Sequence, residues 1–104
     1  MFEITEAAAR QVEVAAKDGG TEGMALRLAA HQKEDGSIDY LMGFDEVKQD
    51  DIRLTSQGAE IVMAPEFVPL LDDAVMDYVE LEKGDFRFIF INPKDANYSP
   101  PSES

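Results

Sequence analysis

A chain of 104 residues, 44% of them apolar, fits one domain with a single core and is too short for two. Its 22 acidic and 9 basic residues leave a net charge of −13. Such a polyanion repels phosphate backbones and anionic lipid headgroups, which disfavours direct nucleic-acid and membrane binding but leaves a basic protein partner open.

In chain order, the opening MFEITEAAAR has neither a basic n-region nor an apolar h-region, and nowhere do about 18 apolar residues run together, so a cytoplasmic protein is expected. Thr5 can cap a helix with Glu6 in its first turn and Ala8, Val12, Ala15 and Ala16 on one face. Gly19-Gly20 ends that helix just after Lys17. The stripe is shallow, mostly Ala and Val, and suits close packing on a sheet.

From Met24 the period changes to two. Met24, Leu26, Leu28 and Ala30 point one way and Arg27 the other, which is a strand. Ile38, Tyr40, Met42 and Phe44 resume the alternation after Glu34-Asp35-Gly36-Ser37, predicting a hairpin with residues 31–37 as its tip. Ile52 and Leu54, then Ala59, Ile61 and Met63, read as a second strand pair turning at Gln57-Gly58. Pro65 can open a helix carrying Phe67, Val68, Leu70 and Leu71, and Pro69 limits it to about two turns before Asp72-Asp73.

Val75 and Val79 alternate with Met76 and Tyr78. Glu82-Lys83-Gly84-Asp85 then turns the chain into Phe86, Phe88 and Phe90. The strand over residues 86–91 is apolar on both faces, the pattern of a central strand. The expected fold is α+β and β-rich, with short mixed and antiparallel strands, an N-terminal helix and a short second helix. Residues 1–96 form the domain and 97–104, with Pro100-Pro101 and a Ser-rich end, a flexible tail fraying after about Asn97.

Chemistry is sparse. His31 is the only histidine, and its plainer reading is an exposed polar residue at a strand end. The acidic residues of EDGSID suit a turn better than a calcium loop, because Glu46, twelfth from Asp35, has no supporting ligands between. No nucleophile elbow, Walker loop, dinucleotide fingerprint or zinc-protease motif occurs. With no cysteine, disulfides, thiolate metal sites and thiol catalysis are excluded, and nothing nominates an enzyme.

As a whole the chain resembles the A-type iron-sulfur carrier family, the HesB-like proteins. EITEAAARQV is similar to the family's opening strand and Ala-rich helix, GMALRLAA to its Leu-Arg-Leu strand, and DIRLTSQGAEIVM to its strand, Gly turn, strand block. LLDDAVMDYV resembles its Leu-Asp-Gly and Leu-Asp-Tyr signature, with Asp73 in place of the glycine, and FRFIFINP its final strand ending in Asn-Pro. The resemblance implies a compact β-rich fold, members that dimerise or tetramerise, and a cluster held by three cysteines. Those cysteine positions fall here on Asp35 and, depending on a two-residue gap, on Asn97 and Ser99 or on Ser99 and Pro101.

All three ligands are missing, and Asp, Asn, Ser and Pro do not reproduce a thiolate shell. No catalytic residue, metal ligand or cofactor is therefore expected. The chain also resembles the cysteine-free, DsrR-type members of the family, which implies an accessory or regulatory role in sulfur oxidation. The expected protein is a monomer or weak homo-oligomer acting on an unidentified protein partner. The alternative is a mononuclear metal site built on Asp35, with His31 or Glu34, and Asp95 or Tyr98 from the tail.

Overall fold

A computed structural model of the chain describes residues 2–96. The N-terminal strand β1 is only Glu3–Ile4, followed by helix α1 (Glu6–Asp18). Thr5 caps α1 as expected, its hydroxyl oxygen accepting from the Ala8 amide at 3.1 Å, and the helix runs one residue beyond the expected end to Gly19 as C-cap. Ala8 and Val12 are its buried residues.

Strands β2 (Ala25–Gln32), β3 (Ile38–Asp45), β4 (Ile52–Ser56) and β5 (Ala59–Met63) make a four-stranded sheet in the order β3-β2-β5-β4. β2–β3 and β4–β5 are the two expected hairpins, and β2 and β5 run parallel. The β4–β5 turn puts Gln57 at φ 50° and Gly58 at φ 81°, the positive-φ pair of a two-residue type I′ hairpin turn. Met24 lies just outside β2 and is exposed. His31 and Gln32 belong to the strand, so the hairpin tip is residues 33–37, not 31–37.

A single 3₁₀ turn, Pro65–Phe67, leads into the one-turn helix α2 (Val68–Leu71), together the two turns that Pro69 allows. β6 (Val75–Glu82) and β7 (Asp85–Ile91) then form a hairpin, and β1 joins β6 in parallel to give a three-stranded sheet ordered β1-β6-β7. The expected central position of residues 86–91 is thus wrong. β7 pairs with β6 alone among the described residues and is an edge. Apolar alternation reports that both faces are partly covered, as Phe88 to Ile91 are, but it carries no information about lateral neighbours.

The core lies between the sheets and α1. Leu26, Leu28 and Ile61 come from the larger sheet, Ile4 and Met76 from the smaller, and Ala8 from the helix. Fully burying a side chain such as Ile61 or Met76 is worth about 1.5–3 kcal/mol, so these few positions decide how the two sheets face one another. Two polar links fix α1 and β1 to that frame. The Thr5 hydroxyl donates to Asp77 of β6 at 2.6 Å, while Ser56 of β4 accepts from the Ile4 amide at 3.1 Å.

Candidate functional site

The β2–β3 tip and the segment after β7 are far apart in sequence and adjacent in space. Asn92 is buried after β7, donating from Nδ2 to the Leu70 carbonyl at 2.7 Å and accepting from the Lys94 amide at 3.1 Å. That turn carries Asp95 and Ala96 to the hairpin tip, where the Ala96 amide donates to the Gly36 carbonyl at 3.0 Å. Gly36 is at φ 86°, and a Cβ there would stand 3.1 Å from that of Ala96, so both the backbone conformation and the close approach favour glycine.

Asp35 occupies the tip and is exposed, but its carboxylate is turned inward on its own loop. One oxygen accepts from the Ser37 amide at 2.9 Å and from the Ser37 hydroxyl at 2.5 Å. These bonds, the hydroxyl first, hold its pKa below the usual carboxylate value. The Lys33 amide closes the loop onto the Ser37 carbonyl at 2.8 Å. The Asp-Gly-Ser sequence is an Asx-type turn in which one carboxylate oxygen takes both Ser37 donors.

Tyr40 of β3 supports the junction from below. Its ring stacks on Phe90 with centroids 4.2 Å apart, and its hydroxyl donates to Asp95 at 3.3 Å. Burial raises the phenol pKa, a hydrogen bond with Asn92 opposes that shift, and the charge of Asp95 adds to it. Ser37, Tyr40 and Asn92 are the residues that build this junction. The sequence marked Asn92 and Tyr40 only as a strand stop and a strand residue, and Ser37 only as turn chemistry.

Of the expected positions, the structure brings Asp35 and Asp95 to neighbouring places through the Gly36–Ala96 bond. It leaves His31 exposed on β2, at the strand end, and Glu34 exposed in the loop. Among the described residues no three His, Asp or Glu side chains converge as a metal shell. Asn97, Tyr98, Ser99 and Pro101 lie outside the described residues, as does the expected fraying of the tail. The donor chemistry at the tip is hard oxygen, with Asp35 committed to Ser37, and does not fit an iron-sulfur cluster.

The opposite end of the same hairpin is held differently. Arg27, on the far face of β2, donates to Asp45 at 2.8 Å and to both oxygens of Asp51 at 2.8 and 2.5 Å, and reaches the Glu46 carbonyl at 2.9 Å. The Lys48 amide adds a third bond to Asp51 at 2.7 Å, and the Asp51 side chain is 5% exposed. Hydrogen bonding by Arg27 lowers the Asp51 pKa to about 2, and that with Asp51 raises the guanidinium further still. This bidentate clamp fastens residues 45–51 onto the sheet.

A cleft of about 410 Å³ beside α1, bordered by Met24, Leu26 and Ala59, contains none of the expected site positions. No helix among the described residues is long and apolar enough to cross a membrane.

No family model matches the chain. The iron-sulfur cluster insertion protein ErpA of Photorhabdus laumondii is 32% identical over 95 residues, covering 88% of this chain and 80% of that protein. A crystal structure of IscA with the [2Fe-2S] cluster superposes with a TM-score of 0.75 at 33% identity, over 89% of this chain and 86% of that one. Escherichia coli SufA, described as involved in biosynthesis of iron-sulfur clusters, superposes with a TM-score of 0.70 at 26% identity over the same shares.

Proposed function

The chain belongs to the A-type iron-sulfur carrier family, and from that premise we propose that it is a non-catalytic, cytoplasmic accessory or regulatory protein that keeps the carrier scaffold but acts through protein contact, in sulfur oxidation. The observation that carries this reading is the conversion of the hairpin tip. A family fold is retained without one cysteine in 104 residues. The Asp35 position bonds to Ser37, and the following Gly36 receives the chain after β7 directly.

In a carrier, the tip must give up its ligand contacts whenever a cluster arrives or leaves. Here Asp35, the one matching position among the described residues, spends one carboxylate oxygen on Ser37 and holds a closed turn, and the chain has no thiolate with which to exchange a cluster. The place in sulfur oxidation follows the resemblance to cysteine-free, DsrR-type members.

Anaerobic reconstitution with iron and sulfide, followed by desalting and an absorption spectrum, tests the reading. The expected result is a colourless protein with no retained iron. Stoichiometric iron with visible charge-transfer bands would overturn it. Capture on immobilised protein from a sulfur-oxidising cell extract should enrich a component of that pathway, and recovery of chaperones and ribosomes alone would remove the support for a partner.

A further inference from the structure

The β6–β7 hairpin carries an aromatic row that begins packed against the core at Phe90 and Phe88 and runs out of it to the exposed Phe86. Phe90, Phe88 and Phe86 alternate along one face of β7. Phe90 is stacked on Tyr40, Phe88 packs against Tyr78 with centroids 4.9 Å apart, and Phe86, 51% exposed, stacks on Tyr78 at 5.8 Å. Phe86 and Tyr78 thus form a flat aromatic shelf at the open end of the strand pair. Leu81, at the irregularity in β6, is 55% exposed.

The shelf adjoins an unpaired backbone. β7 has β6 on one side and no strand on the other among the described residues. After Ile91 the chain turns at Asn92 and bonds to the β2–β3 tip through Ala96, so the described part does not fold back along β7. An edge strand of this kind presents a row of amide and carbonyl groups that another extended chain can complete.

Charge selects the occupant. On the hairpin Asp85 and Arg87 pair with each other at 3.2 Å and Asp77 accepts from Thr5, which leaves Glu80 and Glu82 against Lys83. A second copy would bring another −13 to the same edge, whereas a basic segment gains from both the local carboxylates and the overall field. A guanidinium or ammonium lying over the Phe86 or Tyr78 ring adds a cation–π contact.

We infer that the open edge of β7, with the Tyr78–Phe86 shelf, receives an extended Lys/Arg-rich segment of a protein partner as an added strand. The inference rests on the reading that the protein acts through protein contact. Alternation does the recognition: a basic side chain of the added strand beside the exposed Phe86 reaches over its ring, and β-branched ones on the other face lie against Ile89 and Ile91.

The test uses the full chain, labelled for NMR, and two probes: a short capped peptide of alternating Arg and Val, and its Glu-for-Arg counterpart. The Arg-Val peptide should slow exchange of alternate β7 amides and give cross-strand contacts to β7, weakening as salt rises. Phe86→Ser, at a half-exposed position, should keep the dispersed amide spectrum of the folded chain and weaken binding about tenfold. Equal binding of the Glu-Val peptide, or shifts centred on α1 and residues 45–51 instead of β7, would overturn the inference. So would self-association through β7 without peptide, which assigns the edge to a second copy. Iron retained on reconstitution would overturn the functional reading while leaving the peptide result standing, and absence of peptide binding would do the reverse.

Discussion

The two ends of the β2–β3 hairpin are fastened by different chemistry. At the Ala25–Asp45 end, Arg27 gathers two carboxylates and a carbonyl in a bidentate, charge-assisted clamp. At the Gln32–Ile38 end Asp35 closes the tip on itself through Ser37, and the Gly36–Ala96 bond and the 3.3 Å Tyr40–Asp95 contact join the tip region to the chain after β7. The clamp is a bidentate ion pair on a nearly buried carboxylate, whereas one neutral backbone bond and one long contact join the tip region to the chain after β7, so breaking the clamp on one side costs more. The permanent anchor of the hairpin therefore lies away from the tip, and the tip can change its residues without unfastening the sheet.

Substitution at the clamp is the severest way to break this contrast. Arg27→Leu removes every donor side-chain group from the nearly buried Asp51 carboxylate and leaves that charge unpaired, so it should give the largest drop in urea midpoint of the set. A smaller loss for Arg27→Leu than for Asn92→Ala would reverse the ranking of the two ends. Asn92→Ala deletes a buried amide that serves the Leu70 carbonyl and the Lys94 amide, at a cost of about 1–3 kcal/mol, read from the same titration.

Acid should weaken the clamp with a definite sign. The Asp51 pKa is held at about 2 in the folded chain against an ordinary value near 3.9 when unfolded, so the folded state binds fewer protons. Its contribution is complete above about pH 4 and is lost as pH falls towards 2. Asp45, lowered by its bond to Glu46 and then by Arg27, acts in the same direction. Urea midpoints measured across that window should slope less in Asp51→Asn than in the unmodified chain, and equal slopes would remove Asp51 from the account.

The smallest effect belongs to the tip. Asp35→Ala should leave the urea midpoint nearly unchanged while amide exchange at Ser37 and Ala96 accelerates severalfold, because the loop loses its Asx turn but keeps its sheet. A large fall in midpoint would mean that the tip, too, anchors the hairpin.

Local signals carried much of the fold. Thr5 with Glu6 announced the helix, Gln57-Gly58 the tight hairpin, and Pro65 with Pro69 the brief helical stretch, since each acts through its own backbone or its nearest turn. The features that needed distant residues were not legible. β1 is two residues long and is a strand only because β6 pairs with it, so the family resemblance pointed to it where the residues themselves did not. Arg27 showed as a charge on the far face of a strand, with nothing to say that Asp45 and Asp51 would meet it. β7 showed its apolar faces and not its open edge, and Asp35 showed a substituted ligand position without the Ser37 bonds that occupy it.

Consider, finally, the short parallel pairing of β1 with β6. The helix cap at Thr5 is tied to Asp77, 72 positions later, and Glu3 and Ile4 reach Val75 and Met76. During synthesis at about 5–20 residues per second, β1 and Thr5 wait several seconds for these partners to be made, and longer for them to emerge. The four-stranded sheet can assemble earlier, from hairpins close in sequence. Domain closure is therefore a late event in the life of each molecule, and until it happens Phe2 and Ile4 are apolar side chains in need of shelter.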